Sequence, residues 1–180
     1  MATVSIPQPT TVAVGQRAAS ADFNTHATAI NFWAQPPAAR VYRYQDTGNL
    51  AVGMNVVPFN AESFDNVPSG ASPMHDISTN PERLTVPVAG VYAVGYSVMV
   101  DATTAAQQCA AYLYKNGSEY GCEVRQWNSS NERYLTFAGA DLVQCAAGDY
   151  LDVRVNFSTY QGLVVGSTGA SSFWAILQSQ

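Results

Sequence analysis

The chain has one lysine, Lys115, and charged residues make up only 12% of its 180 positions. Binding nucleic acid takes clustered Lys and Arg to meet the phosphates, and a formal charge of −5 with no basic cluster excludes that class. No apolar run is long enough to cross a bilayer, so membrane insertion is not expected. Met1 to Gln16 lack a basic start followed by an apolar run, and the expectation is a chain made in the cytoplasm without a signal peptide. Cys109, Cys122 and Cys145 show no paired metal-ligand spacing and read as buried free thiols. A two-residue turn at Asn116-Gly117 would set Cys109 opposite Val124 and Cys122 opposite Ala111, so a disulfide between the two is disfavoured.

Apolar residues, at 47%, are sufficient for one packed interior, and the length suits a single domain with an appendage. Pro7 and Pro9 among Thr and Val make Thr3 to Gly15 an extended arm. Ser20 then offers an N-cap and Asp22 a first-turn acid. Phe23, His26, Ile30 and Trp33 recur at intervals of three and four until Pro36-Pro37. The spacing predicts one amphipathic helix over Ala21 to Ala34. An isolated helix of this length is marginal in water, so its stripe must be covered by the body, by sister copies or by another protein. Residues 1–37 therefore read as an anchor with Phe23, His26, Ile30 and Trp33 facing a partner, against the alternative of a helix folded back on its own domain.

From Ala38 onward the helical period gives way to short alternating runs separated by Gly, Asn, Pro and Asp, the pattern of an all-β sandwich. Leu151, Val153, Val155 and Phe157 share one face; Tyr150, Asp152, Arg154 and Asn156 share the other. In Val91 to Val100 the face of Tyr92, Val94, Tyr96, Val98 and Val100 is large and apolar. The opposite face, Val91, Ala93, Gly95, Ser97 and Met99, carries no charge. Such a strand is expected to be covered on both sides, between sheets or between subunits. Around Asn116-Gly117, the residues Cys109, Ala111, Leu113, Tyr120, Cys122 and Val124 read as the core side of a hairpin, with Tyr112, Tyr114, Glu119, Glu123 and Arg125 opposite.

Val56-Val-Pro-Phe59, Phe64-Asp-Asn66, Thr85-Val-Pro-Val-Ala-Gly-Val-Tyr92, Lys115-Asn-Gly117, Ala147-Gly-Asp-Tyr150 and Ser172-Phe-Trp174 follow one another in the order of the complement-1q and tumour-necrosis-factor-like domains. The resemblance spans about Ala38 to Gln178 and implies a ten-stranded jelly roll over 38–180. It also implies a homotrimer that is not an enzyme and works in recognition. Tyr92, Tyr96, Phe157 and Trp174 are candidates for the threefold interface. The front of the chain, Ala13-Val-Gly-Gln-Arg-Ala-Ala-Ser-Ala-Asp-Phe-Asn24 and Trp33-Ala-Gln-Pro-Pro37, resembles the lead of small virion proteins of actinobacterial tailed phages. These are minor tail proteins or capsid decoration proteins. That likeness implies display on the virion surface, with residues 1–37 fixed to a capsid or tail protein. The collagen stalk of the animal family, with Gly at every third position, is absent, so complement-type partners do not carry over.

Few residues invite chemistry. His75 and Asp76 are adjacent in a polar loop, yet neighbours on a strand point to opposite faces and no nucleophile motif accompanies them. No catalytic residue and no cofactor are expected. Asp65, Asp101, Asp141, Asp149 and Asp152 are a conceivable calcium set without calcium-loop spacing, for which turn caps are the default reading. Trp127, Asn128 and Tyr134 flank a polar loop of the kind that binds sugar, which makes a host-glycan recognition module the alternative function.

Overall fold

Pro36-Pro37 have no amide hydrogens with which to extend a helix. In the computed structural model, helix α1 (Ser20–Ala34) stops ahead of them, with the Gln35 amide closing on the Asn31 carbonyl at 3.2 Å. The structure describes residues 8–9, 11–17, 19–102, 107–128, 133–167 and 169–179, without the side chain of Cys122. Most of the front part of the arm, residues 1–7, lies outside them, and residues 11–17 are exposed. The helix starts one residue before the expected position, with Ala19 and not Ser20 as N-cap. The Asp22 carboxylate accepts the Ala19 amide at 2.7 Å, so no capping hydroxyl is needed.

Eleven strands follow among the described residues, where ten were expected. They are β1 (Ala38–Tyr42), β2 (Gly53–Val56), β3 (Ala61–Asn66), β4 (Arg83–Thr85), β5 (Gly90–Asp101) and β6 (Gln107–Lys115). After these come β7 (Ser118–Asn128), β8 (Tyr134–Cys145), β9 (Tyr150–Phe157), β10 (Leu163–Val164) and β11 (Ser172–Ser179). One antiparallel sheet runs β3-β1-β11-β5-β8, with the short β10 paired to the last two residues of β5. The other has β2 and β4 beside β9, then β6 and β7.

Alternation builds the interior between the sheets. Tyr92, Val94, Tyr96, Val98 and Val100 of β5 meet Leu151, Val153, Val155 and Phe157 of β9 in one core with Phe59, Phe137 and Phe173. Burying each such side chain is worth about 1.5–3 kcal/mol. The Tyr96 hydroxyl donates across the sandwich to the Ala111 carbonyl of β6 at 3.2 Å. Burial pushes the Cys109 and Cys145 thiols up to about 11, and both are free.

The hairpin differs from its expected register. Asn116 (φ 51°) and Gly117 (φ 79°) form the two-residue turn, and Lys115 pairs with Ser118. Two irregularities near Leu113 then shift the pairing, so Cys109 faces Gln126 and Ala111 faces Val124. An extra residue in a strand turns later side chains to the other face. Tyr120, assigned to the core side, is accordingly exposed.

Two of the sequence motifs clasp one another. Asp149 accepts from the Ala146 amide and the Asn116 carboxamide, each at 2.8 Å, and pairs with Lys115 Nζ at 3.0 Å. The Asn116 carboxamide oxygen in turn accepts the Tyr150 amide at 2.9 Å. Desolvation opposes the Asp149 charge, but these bonds from Asn116, Ala146 and Lys115 outweigh it and hold the carboxyl below its usual range. A lowered carboxylate contributes stability above its unfolded pKa and loses it as pH falls through the native value. Asp149→Asn should therefore cost about 1–2 kcal/mol near pH 7. In urea titrations the gap from the parent should narrow as pH falls through and below the usual carboxylate range.

Candidate functional site

His75 lies in the loop between β3 and β4, and its ring is fully buried. Nδ1 is 2.9 Å from Glu62 Oε1 on β3, and Nε2 is 3.2 Å from the Pro81 carbonyl. Both nitrogens are engaged by protein oxygens and the ring is buried, so neither is presented to a substrate. Its backbone amide donates to Asp65 Oδ2 at 2.9 Å. Burial raises the Asp65 carboxyl above its usual range, against the opposing pull of the His75 and Met74 amides. Asp76 points elsewhere: one oxygen accepts from the Ser78 amide, the Ser78 hydroxyl and the Thr79 amide at 2.6–3.0 Å, which closes a local turn. A cleft of about 680 Å³ adjoins the pair and is lined by Glu62, His75, Ser78, Asn80 and Arg83 among others. What the arrangement does chemically is staple a long loop to the edge strand β3.

The other acids are dispersed. Asp101 pairs with Arg133 at 2.8 Å, Asp152 with Arg154 at 2.7 Å, and Asp141 accepts the Leu142 amide at 2.7 Å. Among the described residues no three His, Cys, Asp or Glu side chains converge to hold a metal ion.

The helix is two-faced. Ala29 and Phe32 are buried, and Phe32 joins the core cluster, so the body-facing line runs one residue off the stripe read from the sequence. Phe23 and Ile30 remain 66% and 67% exposed and Trp33 43%, while His26 is half-buried. The single chain thus leaves most of the predicted stripe uncovered.

Of the four interface candidates, Tyr92, Tyr96 and Phe157 are interior residues of the single chain, because their positions alternate toward the opposite sheet. Tyr92 also donates its hydroxyl to the Val88 carbonyl at 2.9 Å. Only Trp174 is on the outer face. Its ring lies over Gly95, where even a Cβ would come within 2.4 Å of it. Register sets Ile176, Ala93 and Leu142 in one row of that face, and Trp174, Gly95 and Ala140 in the next. Leu142 is 61% exposed. The sequence reading named the β5 residues of this face but not the β8 ones; the alternating small residues of Phe137-Ala-Gly-Ala-Asp-Leu142 are the signal it passed over.

The sugar-loop trio separates. Trp127 ends β7 with its side chain on the outer face of the second sheet and 64% exposed. Tyr134 begins β8 in the other sheet, with the Arg133 guanidinium 5.1 Å from its ring. Asn128 is buried and donates to the Ala102 carbonyl at 2.9 Å, because in β7 it alternates inward from Trp127. The loop between the two aromatic residues, 129–132, lies outside the described residues.

No family model and no curated protein sequence matches the chain. Among solved structures, the globular domain of zebrafish complement 1qA protein is similar to it, with a TM-score of 0.54 and 17% identity. The match covers 80% of this chain and 99% of that one. The fold is therefore a complement-1q-like jelly roll, as the motif order implied.

The staple can be tested directly. His75→Ala leaves the Glu62 carboxylate and the Pro81 carbonyl without their partner and should lower stability by about 1–3 kcal/mol in urea titrations near pH 7.

Proposed function

We propose that this chain is a non-enzymatic homotrimeric module displayed on the surface of a phage particle and fixed to its capsid or tail through residues 1–37. The observation that carries the reading is the outer face of the first sheet. It is built of Ile176, Ala93, Leu142, Trp174, Gly95 and Ala140, and is free of charge from β11 across β5 to β8 in these two rows. Two sister copies around a threefold axis would cover it, since small side chains on β5 and β8 let neighbouring backbones approach closely. The fold supports a binding or display role, and His75 with both ring nitrogens engaged offers no base for catalysis.

Attachment rests on the helix and on the likeness of its lead to phage virion proteins. Phe23 and Ile30 point away from the body, and covering each would contribute about 1.5–3 kcal/mol to docking. Because Phe32 is part of the core, the division of labour falls between faces of α1 and not at its end.

Light scattering on Ala140→Glu/Leu142→Arg should give a monomer where the parent gives a trimer, with the melting curve of a folded sandwich; a parent that is itself monomeric overturns the trimer. Phe23→Asp/Ile30→Asp should keep the parent's mass and stability yet fail to join particles, and normal incorporation of that variant would remove the anchor.

A further inference from the structure

The outer face of the second sheet holds a different arrangement at the end remote from α1. Trp127 stands opposite Gln108 in the β6-β7 register. One row on, Ala110 lies between Arg125 of β7 and Asn156 of β9. Alternation puts Trp127, Gln108, Arg125 and Asn156 on the same side of the sheet. The indole is the most exposed of the three tryptophans. The side-chain carboxamides of Gln108 and Asn156, both half-buried, engage no other protein group among the described residues. Arg125 is paired with Glu123, so the local charge is balanced. The backbone beneath is held firmly: Gln108 exchanges bonds with Ser158, its amide to the Ser158 hydroxyl at 2.9 Å and its carbonyl to the Ser158 amide at 3.0 Å.

We infer that this patch is a binding site for neutral saccharide. An exposed planar ring offers an apolar plate to the C–H face of a pyranose. Carboxamides beside it supply one acceptor and two donors each, suited to pairs of adjacent hydroxyls. Two strand spacings and one row separate Trp127 from Asn156, roughly 12 Å, the span of about two to three sugar units. An anionic ligand would need an unpaired cation, and Arg125 is already occupied by Glu123. The site deepens the reading of this chain as a binding module and rests on that reading alone, since the patch lies on the sheet opposite the proposed trimer face and uses no residue of the helix.

The full-length protein would be titrated with neutral di- and trisaccharides of glucose, galactose, mannose and N-acetylglucosamine, following tryptophan fluorescence and saturation transfer by NMR, with light scattering on the same samples. At least one saccharide should bind. Trp127→Ala should weaken that binding tenfold or more, and Gln108→Ala and Asn156→Ala about threefold to tenfold each. Tyr134→Ala, on the other sheet, should leave it unchanged. Trp127→Phe, which keeps a ring, should retain part of the affinity and guards against a folding defect. Absence of binding by the parent at millimolar saccharide, or equal binding by Trp127→Ala, overturns the site. Binding by a monomer would instead uphold the site and remove the trimer, and a trimer without binding would do the reverse.

Discussion

Everything in this molecule depends on the twelve-residue strand β5 being large on one side and small on the other. Its inner side chains, from Tyr92 to Val100, occupy the space between the sheets and are wholly buried. The outer side, with Ala93, Gly95 and Ser97, is too short to fill anything alone. β5 pairs along its whole length with β8 and over most of it with β11, so the shallow outer face extends to Ala138, Ala140 and Leu142. One strand thereby supplies both the cohesion of the chain and the face on which copies are proposed to meet. Hydrophobic burial dominates such a sandwich, and the interior is packed closely enough that large rings settle which face of a strand is inside.

The polar groups are used mainly to hold loops. The Lys115-Asn116-Gly117 turn is tied to Asp149 and Tyr150 by three contacts through Asn116 and Lys115, and Asp149 also accepts the Ala146 amide within its own turn. His75 fixes the loop before β4, and the Arg154 guanidinium bonds Asp152 while lying 3.9 Å from the Tyr114 ring. Lys115, Asp149, Glu62, Asp152 and Arg154 are all committed to these pairings. With charged residues at only 12% of the chain, the surface suits a body proposed to meet copies of itself on one side and to bind through the Gln108 and Asn156 carboxamides on the other.

The two ends of the sandwich differ accordingly. At one end α1 packs through Phe32 and keeps Phe23 and Ile30 outward. At the other, Trp127, Tyr134 and Tyr160 are exposed around strand ends. Attachment at the first end would leave the second facing outward, so the proposed anchor and the proposed saccharide patch are compatible within one particle-bound molecule.

Local chemistry was legible without coordinates wherever one residue sufficed to dictate it. Pro36-Pro37 end the helix, Asn116-Gly117 turn the hairpin, and the alternation of β5 and β9 separates inside from outside, because each depends on a backbone angle or a period of two. The order of those motifs also carried the jelly-roll class. Register and company were decided only by the tertiary structure. The irregularities near Leu113 moved Cys109 from Val124 to Gln126 and turned Tyr120 outward, a shift that no composition rule anticipates. Tyr92, Tyr96 and Phe157 read equally well as core or interface until the opposite sheet was seen to enclose them. Trp127 and Tyr134, close in sequence, belong to different sheets, while Gln108 and Asn156, 48 positions apart by their numbers, share a face. Sequence determines what each strand offers on its two faces; which faces meet depends on pairings between distant strands, whose energies are set by packing across the whole sandwich.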